Sequence, residues 1–288
     1  MLKRINWKAI GIGFLWVISL SGLIVLMSFI EHEKSAQHCT DVKVYIPGNQ
    51  TFVNRQEIDR ILWSVGGQLK GKDLTTINTQ NLEDAIKMNA FIRTAKVYAD
   101  MNGVIRVRIE QREPVLRVIN IKNQDFYIDQ DGMKIPVSPN FTAQVLVANG
   151  NITEDLESKV RGLRTPMAKD LFKLAKFIQQ DTLWSEQIEQ IYVNANSEIQ
   201  LVPRVGDHQI IIGDADSLER KFKNLLLFYK KAMPKVGWNT YKTINVKYLN
   251  QIICKKSGIA PDTLSRAIVV ADSTKTDTLK TVQATVKN

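Results

Sequence analysis

The chain has 288 residues and a formal net charge of +10, from 39 Lys and Arg against 29 Asp and Glu. The basic residues are scattered along the sequence, so they indicate a solvated, mildly positive surface that suits an anionic cell envelope better than nucleic acid. Only Cys39 and Cys254 are present, near opposite ends of the sequence. Two such distant cysteines do not indicate a disulfide-stapled fold or a cysteine-based metal site.

An uncharged stretch covers residues 10–30, with three basic residues before it and two acidic residues just after it. As a helix it is about 31 Å long, which matches the hydrocarbon thickness of a bilayer, and the basic residues in front place the N-terminus in the cytoplasm. A cleaved signal peptide is the alternative, but its apolar region is shorter and ends at a small-residue cleavage site. The predicted segments are a cytoplasmic stub at 1–9, a transmembrane helix at 10–30 and a polar tether at 31–40.

The next block alternates between strand and helix patterns. Val42–Ile46 alternates like a strand, and a capping box at Asn54 precedes an amphipathic helix. A second short helix is centred on Leu82–Ile86, and Asn102-Gly103 is a hairpin signal between two alternating strands. These patterns predict a β-α-α-β-β domain at residues 41–114.

The rest of the chain is rich in short strand patterns. One helix is predicted from Thr165-Pro166 and a second from near Asp216 to Pro234. The predicted domain, at 115–256, is mainly antiparallel with these two helices, and the Thr- and Lys-rich residues 257–288 are predicted to be a flexible tail. The predicted strands are Val115–Ile119, Phe126–Ile128, Gln144–Ala148, Gln187–Val193, Glu198–Val202, Gln209–Ile212, Thr243–Leu249 and Gln251–Lys255.

Sequence motifs for catalysis or cofactor binding are not found. Gly66, Gly71 and Lys72 resemble a phosphate-binding loop, but Asp73 occupies the position that needs Ser or Thr. The residues from Asp125 to Gly132 lack most of the ligands of a calcium loop. We therefore predict no catalytic, cofactor or metal site, although a carboxylate pair of an anchored envelope hydrolase remains an alternative.

Several segments resemble the FtsQ/DivIB cell division proteins. Phe91–Val97 is similar to their V-x-x-A-x-V strand, Val104–Pro114 resembles the strand that ends in E-x-R-E-P, and Phe126–Gly132 resembles Y-Y-I-D-x-x-G. Ile244–Tyr248 resembles V-D-x-R-Y, with Lys247 in place of the Arg. The order of these motifs behind an N-terminal apolar segment strengthens the resemblance. It implies an α+β chain with a POTRA domain at 41–114 followed by a β-domain.

The resemblance also implies a function. Proteins of this family are single-pass proteins of the cytoplasmic (inner) membrane at the division septum, with most of the chain in the periplasm. They bind FtsB and FtsL outside the membrane and help to assemble and regulate the septal peptidoglycan synthases, without catalysis and without a cofactor. The resemblance implies no nucleic-acid partner and no small-molecule substrate. A POTRA-bearing assembly or secretion component and an anchored hydrolase stay open as alternatives.

The expected binding mode is strand addition, because an exposed edge strand offers unpaired backbone groups to a partner strand. The resemblance places this edge within Thr243–Tyr248 and Gln251–Cys254, whereas an internal strand is the alternative. The candidate partner-binding residues are Ile244, Val246, Lys247, Tyr248, Asn250, Gln251 and Ile252. A secondary candidate is the pair Arg112 and Glu113.

Overall fold

The computed structural model describes residues 7–35, 37–48, 51–157, 162–258 and 266–269. The chain divides into two compact units, Met1–Gln111 and Arg112–Asn288. The predicted α+β class is confirmed, because the first unit has a three-stranded sheet with helices and the second has a ten-stranded sheet with helices.

The first unit begins with helix α1 (Trp7–Ser35), which includes the predicted membrane segment 10–30. In the part of the chain that the structure describes, no helix combines the length and the apolar character needed to cross a membrane. The transmembrane assignment therefore stays a prediction. The predicted tether is partly structured, since the helix continues to Ser35 and the buried Cys39 donates its backbone N–H to the Lys72 carbonyl at 2.7 Å.

The first unit has the predicted β-α-α-β-β order. Its sheet has the strand order β1-β3-β2, with β1 parallel to β3 and β2 antiparallel to it. The Asn54 side chain caps α2 by accepting from the Glu57 N–H at 2.9 Å, as the capping box predicts. The elements are β1 (Asp41–Tyr45), α2 (Arg55–Gly66), a 3-10 turn (Leu74–Thr76), α3 (Thr79–Lys87), β2 (Ile92–Ala99) and β3 (Val104–Gln111).

The hairpin between β2 and β3 depends on Gly103. Its φ is +78°, and a Cβ there would lie 2.6 Å from the carbonyl oxygen of His38. The same close approach lets the Gly103 carbonyl accept from the Thr40 N–H at 2.9 Å. Only glycine fits this turn without displacing the segment that leads into β1.

The second unit is one ten-stranded sheet with helices. Its strand order is β13-β12-β11-β10-β9-β8-β7-β4-β5-β6, in which six neighbouring pairs are antiparallel and three are parallel. The prediction of a mainly antiparallel β-domain is therefore confirmed. The elements are β4 (Pro114–Ile119), β5 (Asp125–Asp129), β6 (Lys134–Pro136), β7 (Leu146–Gly150), α4 (Pro166–Gln180), α5 (Thr182–Gln187), β8 (Ile188–Val193), β9 (Ile199–Pro203), β10 (Gln209–Gly213), α6 (Leu218–Lys231), α7 (Met233–Val236), β11 (Tyr241–Asn245), β12 (Gln251–Lys256) and β13 (Arg266–Val269).

Helices α4 and α6 contribute the apolar stripes that complete the core with the sheet. Aromatic packing joins the helical layer, because Trp184 meets Phe222 edge-on with ring centroids 4.9 Å apart. The helical and strand residues of this core include Leu171, Leu174, Ile178, Phe222, Leu225, Leu116, Ile191, Ile210, Ile244 and Ile252.

The two long helices begin differently. Helix α4 begins as predicted, with a cap at Thr165 followed by Pro166 in the first turn. The Thr165 hydroxyl accepts a hydrogen bond from the Ala168 N–H at 3.2 Å. Helix α6 begins at Leu218, close to the predicted start near Asp216. Its N-cap is Ser217, whose backbone is left-handed at φ +50° and whose side chain makes no capping bond. The prediction of two helices also omits the short α5 and α7.

Some strand bounds differ from the prediction. Gln187 ends α5 and β11 ends at Asn245, four residues before the predicted end at Leu249. The strand β6 was not predicted. Residues 266–269, expected within a flexible tail, form β13, so that expectation is wrong for this segment.

Candidate partner-binding edge

Strand β11 lies inside the sheet. It pairs in parallel with β10 on one side and antiparallel with β12 on the other. Ile244 and Val246 are completely buried, and the Val246 N–H donates to the Ile211 carbonyl at 2.9 Å. The prediction that Thr243–Tyr248 is an edge strand is therefore wrong, because both sides of the strand part of this segment are paired.

The chain leaves the sheet after Asn245, and Lys247 is fixed in the connection that follows. The Lys247 N–H donates to the Asn245 side chain at 3.0 Å, and its Nζ contacts Glu198 Oε1 at 2.8 Å. This hydrogen bond raises the pKa of Lys247 and lowers the pKa of Glu198. Two side-chain contacts thus hold the backbone at this turn.

The side chains of Tyr248 and Leu249 are exposed to solvent, although the connection that carries them is fixed by hydrogen bonds. Their exposed fractions are 45% and 38%. Helix α6 holds this connection in place. Asn224 Nδ2 donates to the backbone carbonyl of Leu249, and Arg220 Nη2 donates to the side-chain Oδ1 of Asn250, both at 2.9 Å. Two neighbouring apolar side chains on a fixed connection can anchor a protein interface.

Strand β12 continues from this connection and alternates between its two faces. Ile252 and Cys254 are buried in the core, while Gln251 and Ile253 are partly exposed. Burial raises the pKa of Cys254 to about 12, so its side chain stays a neutral thiol. The strand can therefore offer apolar contacts but no thiolate chemistry.

The outer side of β12 is paired with β13, so the prediction that Gln251–Cys254 is an edge is wrong as well. The two strands are antiparallel, and the register joins Gln251 to Val269 and Cys254 to Arg266. Sequence patterning missed this strand, although the β-branched residues at 268–270 are a strand signal within the Thr- and Lys-rich tail.

The secondary candidate, Arg112 and Glu113, lies elsewhere in the unit, just before β4. Arg112 Nη1 donates to Asp129 Oδ2 at 2.6 Å, and both side chains are largely removed from solvent. Glu113 is exposed, and its carbonyl accepts from the Gln130 N–H. The structure does not bring this pair together with the β12 residues, and it gives Arg112 a structural partner.

The turn near Asp129 has a structural role. Its Oδ1 accepts from the backbone N–H groups of Asp131 and Met133, so the carboxylate caps the turn that the Asp-Gly pattern predicts. Within the described ranges, no group of three His, Cys, Asp or Glu side chains is arranged to hold a metal ion.

Two family models match the chain. The one described as FtsQ/DivIB, C-terminal related, matches residues 113–255, and the POTRA-like domain matches residues 37–110. The chain belongs to the FtsQ/DivIB family. A search of curated proteins finds no match. The two matched regions follow one another in the order that the sequence motifs predict.

Membership of the FtsQ/DivIB family makes this chain a cell division protein. Proteins of the family are septum-associated membrane proteins that interact with other divisome proteins, and they are generally non-catalytic. The domain bounds and partner-binding residues stay predictions.

Proposed function

We propose that this protein is a non-catalytic divisome scaffold that adds a strand of an FtsB- or FtsL-type partner to the β12 end of its large sheet. Residues 10–30 anchor it in the cytoplasmic membrane with the N-terminus in the cytoplasm and the two domains outside. Through the bound partner it helps to assemble and regulate the septal peptidoglycan synthases. The observation that supports this most is the position of β12 near the end of the sheet, with apolar side chains exposed beside its first residue.

The physical basis is strand addition. A partner strand gains affinity from backbone hydrogen bonds along β12 and gains register from the side chains that alternate between its faces. Tyr248 and Leu249 lie directly before this strand, so they can contact the same partner without belonging to the core. Of the residues predicted from the sequence, Ile244 and Val246 support the fold instead, whereas Tyr248, Asn250, Gln251 and Ile252 lie at or beside β12.

The deciding experiment compares two tyrosines of similar exposure. Tyr248 is 45% exposed beside β12, and Tyr192 is 40% exposed on β8, which is paired on both sides. We expect Tyr248→Ala to weaken binding of the extracytoplasmic part of FtsB about 30-fold, as loss of about 2 kcal/mol at an interface anchor does. Binding is measured by biolayer interferometry with the full chain in detergent.

Tyr192→Ala is the matched control and should bind as the unchanged chain does. If Tyr248→Ala retains full affinity, the partner contact lies away from the β12 end, and Arg112 and Glu113 become the next residues to test. Circular dichroism of both variants establishes that neither result comes from unfolding.

Imaging and topology test the cellular part of the proposal. A fluorescent fusion should form a band at mid-cell, whereas a uniform peripheral ring would favour the assembly-component or hydrolase alternatives. A reporter that is active only outside the cytoplasm, fused after Asn288, should be active. A mature N-terminus near residues 35–40 would show cleavage and contradict the anchor.

A further inference from the structure

The strand β13 occupies the side of β12 that a partner strand would need. Two strands cannot pair with the same side of β12 at the same residues, because the outward backbone N–H and C=O groups of β12 can hydrogen-bond to only one neighbouring strand. The described register consists of four residue pairs: Gln251 with Val269, Ile252 with Ile268, Ile253 with Ala267 and Cys254 with Arg266.

The coverage of β12 by β13 is short. β12 has six residues and β13 has four, and the register of β13 stops at Cys254, before Lys255 and Lys256. Those two lysines pair only with β11 among the described residues. A terminal strand of this length makes few backbone bonds, and the entropy cost of ordering it is of similar size to what those bonds contribute. Such a strand can be displaced.

The buried face of β12 indicates which partner strand can replace β13. Ile252 and Cys254 of β12 are buried in the core. A partner strand with apolar residues opposite both of them suits this face. Such a strand, longer than four residues, is the kind of partner that β12 can take in exchange for β13.

We infer that β13 is an autoinhibitory strand, built into the chain, which a partner strand must displace from β12. This inference rests on the proposed function, because it describes how access to the proposed binding edge is controlled. Residues 257–265 keep the competitor attached to the strand it covers, so it acts at a high effective concentration. The apparent affinity for a partner is then the intrinsic affinity multiplied by the fraction of chains with a free edge.

Hydrogen exchange tests whether β13 covers the edge, without any partner. In an antiparallel ladder, successive N–H groups along β12 alternate between the two neighbouring strands. Ending the chain after Gly258 should therefore speed amide exchange at every second residue of Gln251–Cys254, while the amides that face β11 keep their protection. Unchanged exchange at all four amides would overturn the inference.

Binding then tests the competition. The probes are the extracytoplasmic part of FtsB and a synthetic peptide of residues 264–271. We expect two altered chains to bind both probes about tenfold more tightly than the unchanged chain: one that ends after Gly258, and a full-length Ala267→Pro/Ile268→Pro variant. This factor applies if β13 leaves β12 uncovered in about one tenth of the unchanged molecules. Thr281→Pro, outside β13, is the matched control and should bind as the unchanged chain does.

The outcomes separate the inference from the proposed function. If FtsB binds no variant but the peptide binds about tenfold more tightly when β13 is removed or broken, the inference stands and the proposed partner is wrong. Equal binding of the peptide to the full chain and to both altered chains would overturn the inference. Equal binding of FtsB to all of them would also overturn it, and would leave the proposed partner in place.

Discussion

The two ends of the ten-stranded sheet are stabilised in different ways. At the β6 end, the buried Lys134 and Glu154 side chains form an ion pair at 2.8 Å, each only 1% exposed. At the β12 end, the core-facing side chains are Ile252 and Cys254, and the outer side is covered by the backbone of β13. A buried ion pair requires a specific partner atom, whereas an apolar face and a backbone ladder accept any suitable strand. This difference leaves one end fixed and the other open to exchange.

The ion pair at the β6 end is embedded in further hydrogen bonds. Glu154 accepts from the backbone N–H groups of Arg164 and Thr165 and from the Thr165 hydroxyl, and Lys134 Nζ also contacts the Asp155 carbonyl at 2.7 Å. Burial alone raises the pKa of Glu154, but these donors together with Lys134 lower it below its ordinary value. The carboxylate therefore stays ionised inside the protein.

The largest expected effect comes from breaking this pair. We expect Lys134→Met to lower the free energy of unfolding by about 3–5 kcal/mol, because Glu154 would remain as a buried charge without its cation. Urea denaturation of the purified protein measures the change. Lys221→Met is the matched control: Lys221 is equally buried, but its partner Asp214 is 53% exposed and stays hydrated. Similar losses for both variants would contradict the special role of the β6 end.

The pH dependence of stability separates the ion pair at the β6 end from a buried histidine beside an inner strand. His208, just before β10, is buried and its Nε2 lies 2.7 Å from the Tyr229 hydroxyl. Burial lowers the pKa of His208 below 6.5, against a smaller opposing effect of Asp207. As the pH falls below about 6.5, the unfolded chain binds a proton that the folded chain does not, so stability decreases.

We expect the free energy of unfolding to fall between about pH 7 and pH 5.5 with a His208 contribution of at most about 1.4 kcal/mol per pH unit. His208→Gln should remove this contribution. The stabilisation that comes from the lowered pKa of Glu154 is complete above about pH 4.5 and is lost only at lower pH. Its pH range therefore does not overlap with that of His208. If the free energy of unfolding changes with pH equally in His208→Gln and in the unchanged protein over this range, the pH dependence does not come from His208.

The sequence predicted elements whose signals are local. The alternation of Ile105, Val107 and Ile109 and the Asn102-Gly103 turn lie within one hairpin, so neighbouring residues were enough to predict it. The edge strand was harder to predict. The alternation at Ile244 and Val246 shows that one face of the strand is buried, but it does not show whether another strand pairs on each side. Edge status depends on the order of distant strands in the sheet.

The same limit explains the missed bounds. The strand pattern continues past Asn245, but Lys247 contacts Glu198, which lies just before β9, and the backbone turns there. β13 was missed because a few β-branched residues in a polar tail predict a strand only if a partner strand is known to be nearby. In both cases the deciding contact joins residues that are far apart in sequence.

A smaller effect is expected at the start of α4. Thr165 caps this helix and also donates to Glu154 Oε2 at 3.0 Å, so it belongs to the fixed end of the sheet. Thr165→Ala should cost about 1 kcal/mol or slightly more in thermal or urea unfolding. Thr182→Ala, at an exposed helix start capped by Asp181 instead, should change stability by less than about 0.5 kcal/mol. Losses of the same size would show that the cap and its link to Glu154 do not matter.

The smallest expected effect is a gain near the open end. Ser217 precedes α6, the helix whose Arg220 and Asn224 side chains hold the connection before β12, and its φ of +50° is unfavourable for a residue with a Cβ. Ser217→Gly should raise the free energy of unfolding by about 0.5 kcal/mol, because relief of this backbone strain exceeds the added flexibility of the unfolded chain. Asn123→Gly, at φ +57°, should gain less, since Asn tolerates this conformation. Because the change lies at the start of α6 and not in β12, affinity for the partner should stay the same. A loss of stability in Ser217→Gly would mean that the serine side chain itself stabilises the start of α6.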